Sequence, residues 1–309
     1  MSEDVVGKMK DIMDKFANIY TPEYLAELSL RSYKEDREYP ENFSNWYPHI
    51  LDFGKFSNAE IISNQILTHE QVEILQETDD INKVNWDKCA EVFKPTLDKM
   101  KPNVIYSIKN GCFSNKFDFE TCITDKRDFV KKMWKINYAS SMFETGGYTE
   151  VVVRRYIPSD PSRYLTIYNG MPLRTEVRIF YNMVTKKIEY MKDYWDYDYC
   201  VNNIYNLTDK VAFNYFHNKM AMSSDLVINL FKHEAELDKV KDFIADNVKT
   251  LKFDEELGKI EPIWSIDFMY DADTEDVYLI DMARGFRSAY WDINLLSKET
   301  QDELQKIEK

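Results

Sequence analysis

The sequence predicts an α+β fold of two lobes behind a helical N-terminal extension, on three observations. Apolar and aromatic runs of strand length at residues 104–108, 150–157, 175–181, 187–191, 264–268 and 277–281 lie among helical stretches, with no internal repeat. A length of 309 residues suggests about two domains. A composition 44% hydrophobic and 15% aromatic, with only 8 Gly and 9 Pro, is that of a globular chain with a sizeable core. The expected division is a helical extension over 1–40, a small lobe over 41–148 and a C-terminal lobe over 149–309.

Taken in order, Val5, Met9, Ile12, Met13 and Phe16 recur at helical spacing. Thr21-Pro22-Glu23 then restarts a second helix, with Thr21 as cap and Pro22 at the first position. Both helices are expected to pack on the body as an accessory. Thr68 with Gln71 three residues on reads as a capped helix start. Residues 77–83 form an acidic surface loop. From Trp86 to Met100 the apolar spacing is helical, with a kink expected at Pro95. The strand at 104–108 delivers Lys109 just before Gly111, and the polar, aromatic loop 113–119 carries a second lysine, Lys116.

A basic amphipathic helix is expected from Phe129 to Tyr138 and a turn over residues 144–148. The next strand carries Arg154 and Arg155 and stops at Pro158. Alternation in 175–181 puts Glu176 and Arg178 on one face and Val177, Ile179 and Tyr181 on the other. Val227, Leu230, Phe231, Leu237, Val240, Phe243 and Ile244 mark a long amphipathic helix from Asp225 to Val248. It leads into Trp264-Ser265-Ile266-Asp267-Phe268, an acidic turn, and Val277-Tyr278-Leu279-Ile280-Asp281, a strand-turn-strand unit with an aspartate in each arm.

Composition removes several function classes. No run approaches the roughly 18 apolar residues of a membrane span. Glu3, Asp4, Lys8, Lys10 and Asp11 interrupt what would be the apolar core of a secretory signal. Cys89, Cys112, Cys122 and Cys200 form no CxxC pair, so neither a zinc ribbon nor a disulfide framework is indicated. A cytoplasmic location is the expectation. A net charge of −14 argues against general nucleic-acid binding, which needs clustered cations, while leaving room for a local basic cleft and a basic protein partner.

Asp267 and Asp281 admit two readings. Each fills a strand end or turn, or the two lie on adjacent strands and converge on one cation; such oxygen ligands suit Mg²⁺ and its attendant phosphates. Lys109, Arg154, Arg155, Glu176 and Arg178 complete the assortment a nucleoside triphosphate site needs, although each alone has an ordinary structural explanation. GxxxxGK[ST] and GxGxxG are absent, so a P-loop or Rossmann site is not supported. Ser107, Ser114 and Ser265 lack a GxSxG context. Lys109-Asn110-Gly111 resembles the lysine signature of RNA and DNA ligases, but their later acidic-glycine and Lys-x-Lys strands find no convincing match.

Phe43-Ser44-Asn45-Trp46-Tyr47-Pro48, the arginine strand at 150–156, Glu176-Val177-Arg178-Ile179-Phe180, Ile266-Asp267 and the run ending at Asp281 follow one another in an order that resembles the cell division cycle protein 123 family. The resemblance runs from about Phe43 to the C-terminus. It implies an ATP-grasp fold, with adenine between two sheets against Arg155, Tyr156 and Ile157. It further implies Lys109 on phosphate, Arg154, Glu176 and Arg178 supporting the site, and Asp267 and Asp281 holding Mg²⁺. Lys109 and Arg178 would be the catalytic pair of any transfer reaction. Eukaryotic relatives bind ATP and assist assembly of translation initiation factor 2 through its gamma subunit, so an ATP/Mg²⁺-dependent assembly factor is the leading expectation. An ATP-dependent carboxylate–amine ligase working through an acylphosphate is the alternative, and nucleotidyl transfer through Lys109 the third. Two positions depart from the family pattern. Ala283 replaces an asparagine that completes the metal shell, with Arg284 or Arg287 as candidate substitutes on phosphate. Asn110-Gly111 replaces Asn-Trp-Ser after the lysine.

Overall fold

The structure, a computed structural model, describes residues 21–142, 145–159, 166–168, 170–195 and 224–307. The helix expected at Val5 to Phe16, Cys200, Glu144 of the expected turn, and the side chains of Val227, Leu230 and Phe231 lie outside what it describes.

Helix α1 (Pro22–Arg37) starts as its sequence dictates, with the Thr21 side chain accepting from Tyr24 N. A short helical turn, Phe43–Trp46, precedes strands β1 (Ile50–Asp52), β2 (Ser57–Asn58) and β3 (Ile61–Ile66). Helix α2 (His69–Leu75) opens on a full capping box, Thr68 Oγ1 accepting from Gln71 N and Gln71 Oε1 from Thr68 N. Helix α3 (Trp86–Leu97) contains Pro95 in its last turn and ends two residues later. Strands β4 (Tyr106–Asn110) and β5 (Ile123–Thr124) flank the Lys116 loop, and α4 (Phe129–Met142) leads to β6 (Glu150–Arg155). A small pair, β7 (Thr166–Ile167) and β8 (Met171–Pro172), comes before β9 (Glu176–Asn182) and β10 (Lys187–Asp193). The chain ends with α5 (Ser224–Asn247), β11 (Lys252–Phe253), β12 (Ile263–Asp271), β13 (Asp276–Arg284) and α6 (Lys298–Ile307).

Two sheets carry the molecule. One has the order β3-β6-β4-β5, antiparallel throughout; the other runs β10-β9-β12-β13-β2, with only the β13–β2 edge parallel. The lobes exchange chain segments. β6, which the expected boundary after residue 148 assigns to the C-terminal lobe, is a central strand of the first sheet, while β1 and β2 pair with β11 and β13. Alternation tells which face of a strand is apolar but not which strand it pairs with. The first sheet buries Ile108, Val151 and Val153 against Phe93, Phe129 and Met133 of α3 and α4; the second buries Ile179, Ile266 and Phe268 against Val240 and Ile244 of α5. The polar faces are left to look toward a common cleft.

Helix α1 is tied into the body. Asp36, 6% exposed, accepts from Gly147 N (2.6 Å), Thr149 N (3.1 Å) and Thr149 Oγ1 (2.6 Å). Gly147 is required there: at φ +79° an added Cβ would lie 2.6 Å from Cys112 N. Among the described residues no helix is long and apolar enough to cross a membrane.

Candidate functional site

Strands β4, β6 and β9 deliver Lys109, Arg154, Glu176 and Arg178 by parity. On β4, Tyr106 and Ile108 face the helical core, so Ser107 and Lys109 face the opposite way. On β6 the same rule sends Val151 and Val153 inward and Arg154 to the cleft. On β9, Val177 and Ile179 pack on the core while Glu176 and Arg178 share the other face. Asp267 pairs with Arg178 on one side and with Asp281 on the other, so the three lie abreast on neighbouring strands.

Strict alternation would have put Asp281 with Val277 and Leu279, facing the core. A β-bulge prevents this. Phe268 pairs with Leu279 but Asp267 with Asp281, leaving Ile280 as the extra residue. The slip returns Met282 to the core and turns Asp281 to the cleft.

The resulting cleft, about 200 Å³, brings together Lys109, Arg154, Arg155, Tyr156, Ile157, Glu176, Asp267 and Asp281. Arg178 stands immediately behind Asp267. Its guanidinium forms a fork on that carboxylate, Nε to Oδ1 and Nη2 to Oδ2, both 2.7 Å, with each side chain 9% exposed. Lys109 Nζ lies 2.9 Å from both oxygens of Asp281, and Lys109 is 4% exposed. Arg155 pairs at the rim with Glu60.

Arg284 is the exception. It lies three residues beyond Asp281 and therefore on the other face of β13. There its Nε and Nη2 meet Glu41 Oε1 (2.6 Å) and Oε2 (3.1 Å), with the rings of Phe286 and Tyr39 alongside. Arg287 likewise stacks over Tyr39 and Phe286. The expectation that one of them substitutes for the missing ligand at Ala283 is therefore corrected: both are engaged elsewhere.

Lys116, Arg174, Tyr194 and Trp195 also line the cleft and were not assigned to it from the sequence. Lys116 Nζ hydrogen-bonds Tyr194 Oη and sits 4.3 Å above that ring and 5.4 Å from the Trp195 ring. Arg174, 3% exposed, donates to Ile157 O and lies over the Tyr156 ring. Arg154 donates to Ile280 O. Among the described residues no carboxylate lies within ion-pair distance of Lys116, Arg154 or Arg174. The lining thus carries five cations against three carboxylates, two of which are already paired. The third, Glu176, is pushed up to about 7 by burial and, further, by Asp267, against the pull of Lys116.

The two aspartates do not fit a Mg²⁺ ion as they stand. Such an ion needs oxygens free to approach to about 2.1 Å in an octahedron. Here both oxygens of Asp267 are held by Arg178 and both of Asp281 by Lys109. Ala283 offers no oxygen side chain. Ser265, paired with it, turns its Oγ to Ala283 O and Ser288 Oγ. Among the described residues no group of three or more His, Cys, Asp and Glu side chains is placed to hold a metal.

No family model and no curated protein matches the chain. Two solved structures of Cdc123 from Schizosaccharomyces pombe are similar to it. A C-terminally truncated form has 14% identity and a TM-score of 0.42, the match covering 86% of this chain and 89% of that one. A second Cdc123 structure has 14% identity and a TM-score of 0.40, covering 86% of this chain and 90% of that one.

Proposed function

We propose that the cleft binds a nucleoside triphosphate, ATP by the motif resemblance, and that the protein is an ATP-binding assembly factor for a protein partner. One observation carries the binding proposal. In a chain of net charge −14, a buried cleft gathers five cations, three of them without a carboxylate among the described residues. Uncompensated buried charge is costly, so such a cluster is explained by an anion that completes it. The walls add what a nucleoside needs: Tyr156, Ile157, Ile108, Met171 and Met269 give the cleft aromatic and apolar surface. Arg154 and Arg174 supply planar forks suited to phosphate oxygens, and Lys116 a point charge.

The partner follows from the resemblance, which favours the gamma subunit of translation initiation factor 2. Nucleotidyl transfer gains no support. A lysine that attacks phosphorus must present a free amine, and Lys109 Nζ is engaged by both oxygens of Asp281.

Calorimetric titration with a non-hydrolysable ATP analogue, then ADP, AMP and adenosine, tests the proposal. Affinity should fall with each phosphate removed and fall again in high salt. Equal affinity for adenosine and the triphosphate analogue, or no heat with any of them, would overturn it.

A further inference from the structure

We infer that this cleft takes its triphosphate without a divalent cation, the protein's own cations standing where the metal ion would stand. The inference rests on the reading of the cleft as a nucleotide site.

Three independent features of the site lead to it. The fork between Arg178 and Asp267 is buried on both sides, and Arg178 Nη1 also donates to Ala289 O at 3.1 Å. Drawing Asp267 away to a metal would leave a buried guanidinium without its counter-charge, a strongly unfavourable exchange. Lys109, held on β4 of the opposite sheet, reaches across the cleft to cover both oxygens of Asp281. The metal edge of that aspartate is occupied by an ammonium from the facing lobe. Finally, Ala283 lies on the same face as Asp267 and Asp281 and places a methyl group where a third oxygen would be needed.

The remaining charge works in the same direction. Among the described residues, Lys116, Arg154 and Arg174 have no ion-paired carboxylate to release before they meet phosphate. A free triphosphate carries more negative charge than its Mg²⁺ complex, so it matches this surplus better. A divalent cation entering with the nucleotide would add like charge beside Lys109 and Arg178. Phosphoryl transfer ordinarily relies on a metal bridging the β- and γ-phosphates to stabilise the developing charge. A cleft that binds the nucleotide through guanidinium and ammonium groups is suited to holding it and responding to it. The chemistry of these donors points to a nucleotide-binding module.

The full-length protein would be titrated by calorimetry with the non-hydrolysable ATP analogue, once in EDTA and once in excess Mg²⁺. Affinity in EDTA equal to or higher than in Mg²⁺ is the expected result. An enhancement by Mg²⁺ of more than threefold would overturn the inference while leaving the nucleotide reading intact. Absence of binding in both buffers would remove the nucleotide reading and this inference with it. Two variants give a second readout through Mn²⁺ electron paramagnetic resonance in the absence of nucleotide. The wild type should leave the free Mn²⁺ spectrum unchanged, and Lys109→Met, which uncovers the partly exposed Asp281, should broaden it. Arg178→Met, which uncovers Asp267, serves the same purpose should Lys109→Met fail to fold. A wild type that already immobilises Mn²⁺, or folded variants that do not, would show that Lys109 and Arg178 do not stand in for a metal.

Discussion

The cleft and the seam beneath α1 are both built from buried charge, and they balance it in opposite ways. In the seam the acids Asp36, Glu41 and Glu150 are 6%, 5% and 0% exposed, and every one is answered. Asp36 takes two backbone N–H groups and a hydroxyl, Glu41 takes the fork of Arg284, and Glu150 takes Ser44 N and Arg37. In the cleft the cations outnumber the acids, and three of them have no carboxylate within ion-pair distance among the described residues. A fully answered charge holds structure together, whereas a surplus of one sign waits for a ligand. The difference separates residues whose loss costs folding from residues whose loss costs binding.

The largest effect is expected in the seam. Asp36→Ala would orphan the N–H groups of Gly147 and Thr149, each worth about 1–3 kcal/mol, and so destabilise the protein by about 2–4 kcal/mol. A fall in melting temperature checks this, and the same logic holds that removing residues 1–40 unfolds the first lobe rather than trimming an accessory. A truncated protein with an unchanged melting temperature would place the seam outside the folding unit.

Arg174→Ala is expected to do the reverse. It removes a buried cation that has no carboxylate among the described residues, so the melting temperature should hold or rise. Affinity for the ATP analogue should fall by roughly ten- to a hundredfold, the worth of a charge-assisted hydrogen bond at about 1.5–3 kcal/mol. Lys116→Ala should behave alike. Loss of stability with unchanged affinity would make these cations structural and erase the contrast.

A smaller effect is expected from pH. Burial holds the Glu176 carboxyl up to about 7, so it is neutral in acid and ionised in mild alkali. As pH rises through 7 the cleft gains a negative charge facing Lys116, Arg174 and Asp267, and triphosphate affinity should weaken by roughly threefold to tenfold. The effect on folding has the same sign: the neutral form is favoured in the fold, so the stability it contributes is complete below its ordinary value of 4.5 and is lost as pH rises through about 7. Glu176→Gln should flatten the pH dependence of affinity between pH 6 and about 8. A wild type already flat over that range would remove Glu176 from the ligand's surroundings.

Much of this geometry could be read from the chain, and the remainder was hidden for definite reasons. The placing of Asp267 and Asp281 on neighbouring strands followed from the strand-turn-strand pattern, and Glu176 and Arg178 shared a face by simple alternation. The bulge at Ile280 that actually aims Asp281 left no mark in the sequence, because a bulge depends on how two strands pair. Lys116 and Arg174 carried no periodic signal, one lying in a loop and the other just before a strand; only the folding of β9 and β10 over the cleft brings Tyr194, Trp195 and Arg174 to it. The ties of α1 to Gly147 and Thr149 cross more than a hundred residues, beyond the reach of any local pattern. Arg284 is different. Residues three apart on a strand face opposite ways, so alternation separates it from Asp281, although the sequence reading placed both at the site; which of the two faces the cleft is decided by the bulge.

Arg284 gives the smallest expected effect and the sharpest division between the two regions. Glu41 and Arg284 form a fork at the edge of the seam, with side-chain exposures of 6% and 18%. Removing only one partner would strand a buried charge, so the informative change removes both. Replacing such a pair with neutral side chains of similar size is often close to neutral. Glu41→Gln with Arg284→Met should therefore shift stability by about 1 kcal/mol or less and leave triphosphate affinity unchanged. If affinity instead falls tenfold, the field of Arg284 reaches the phosphates from behind β13, and the boundary between structural and ligand-directed charge must be redrawn to include it.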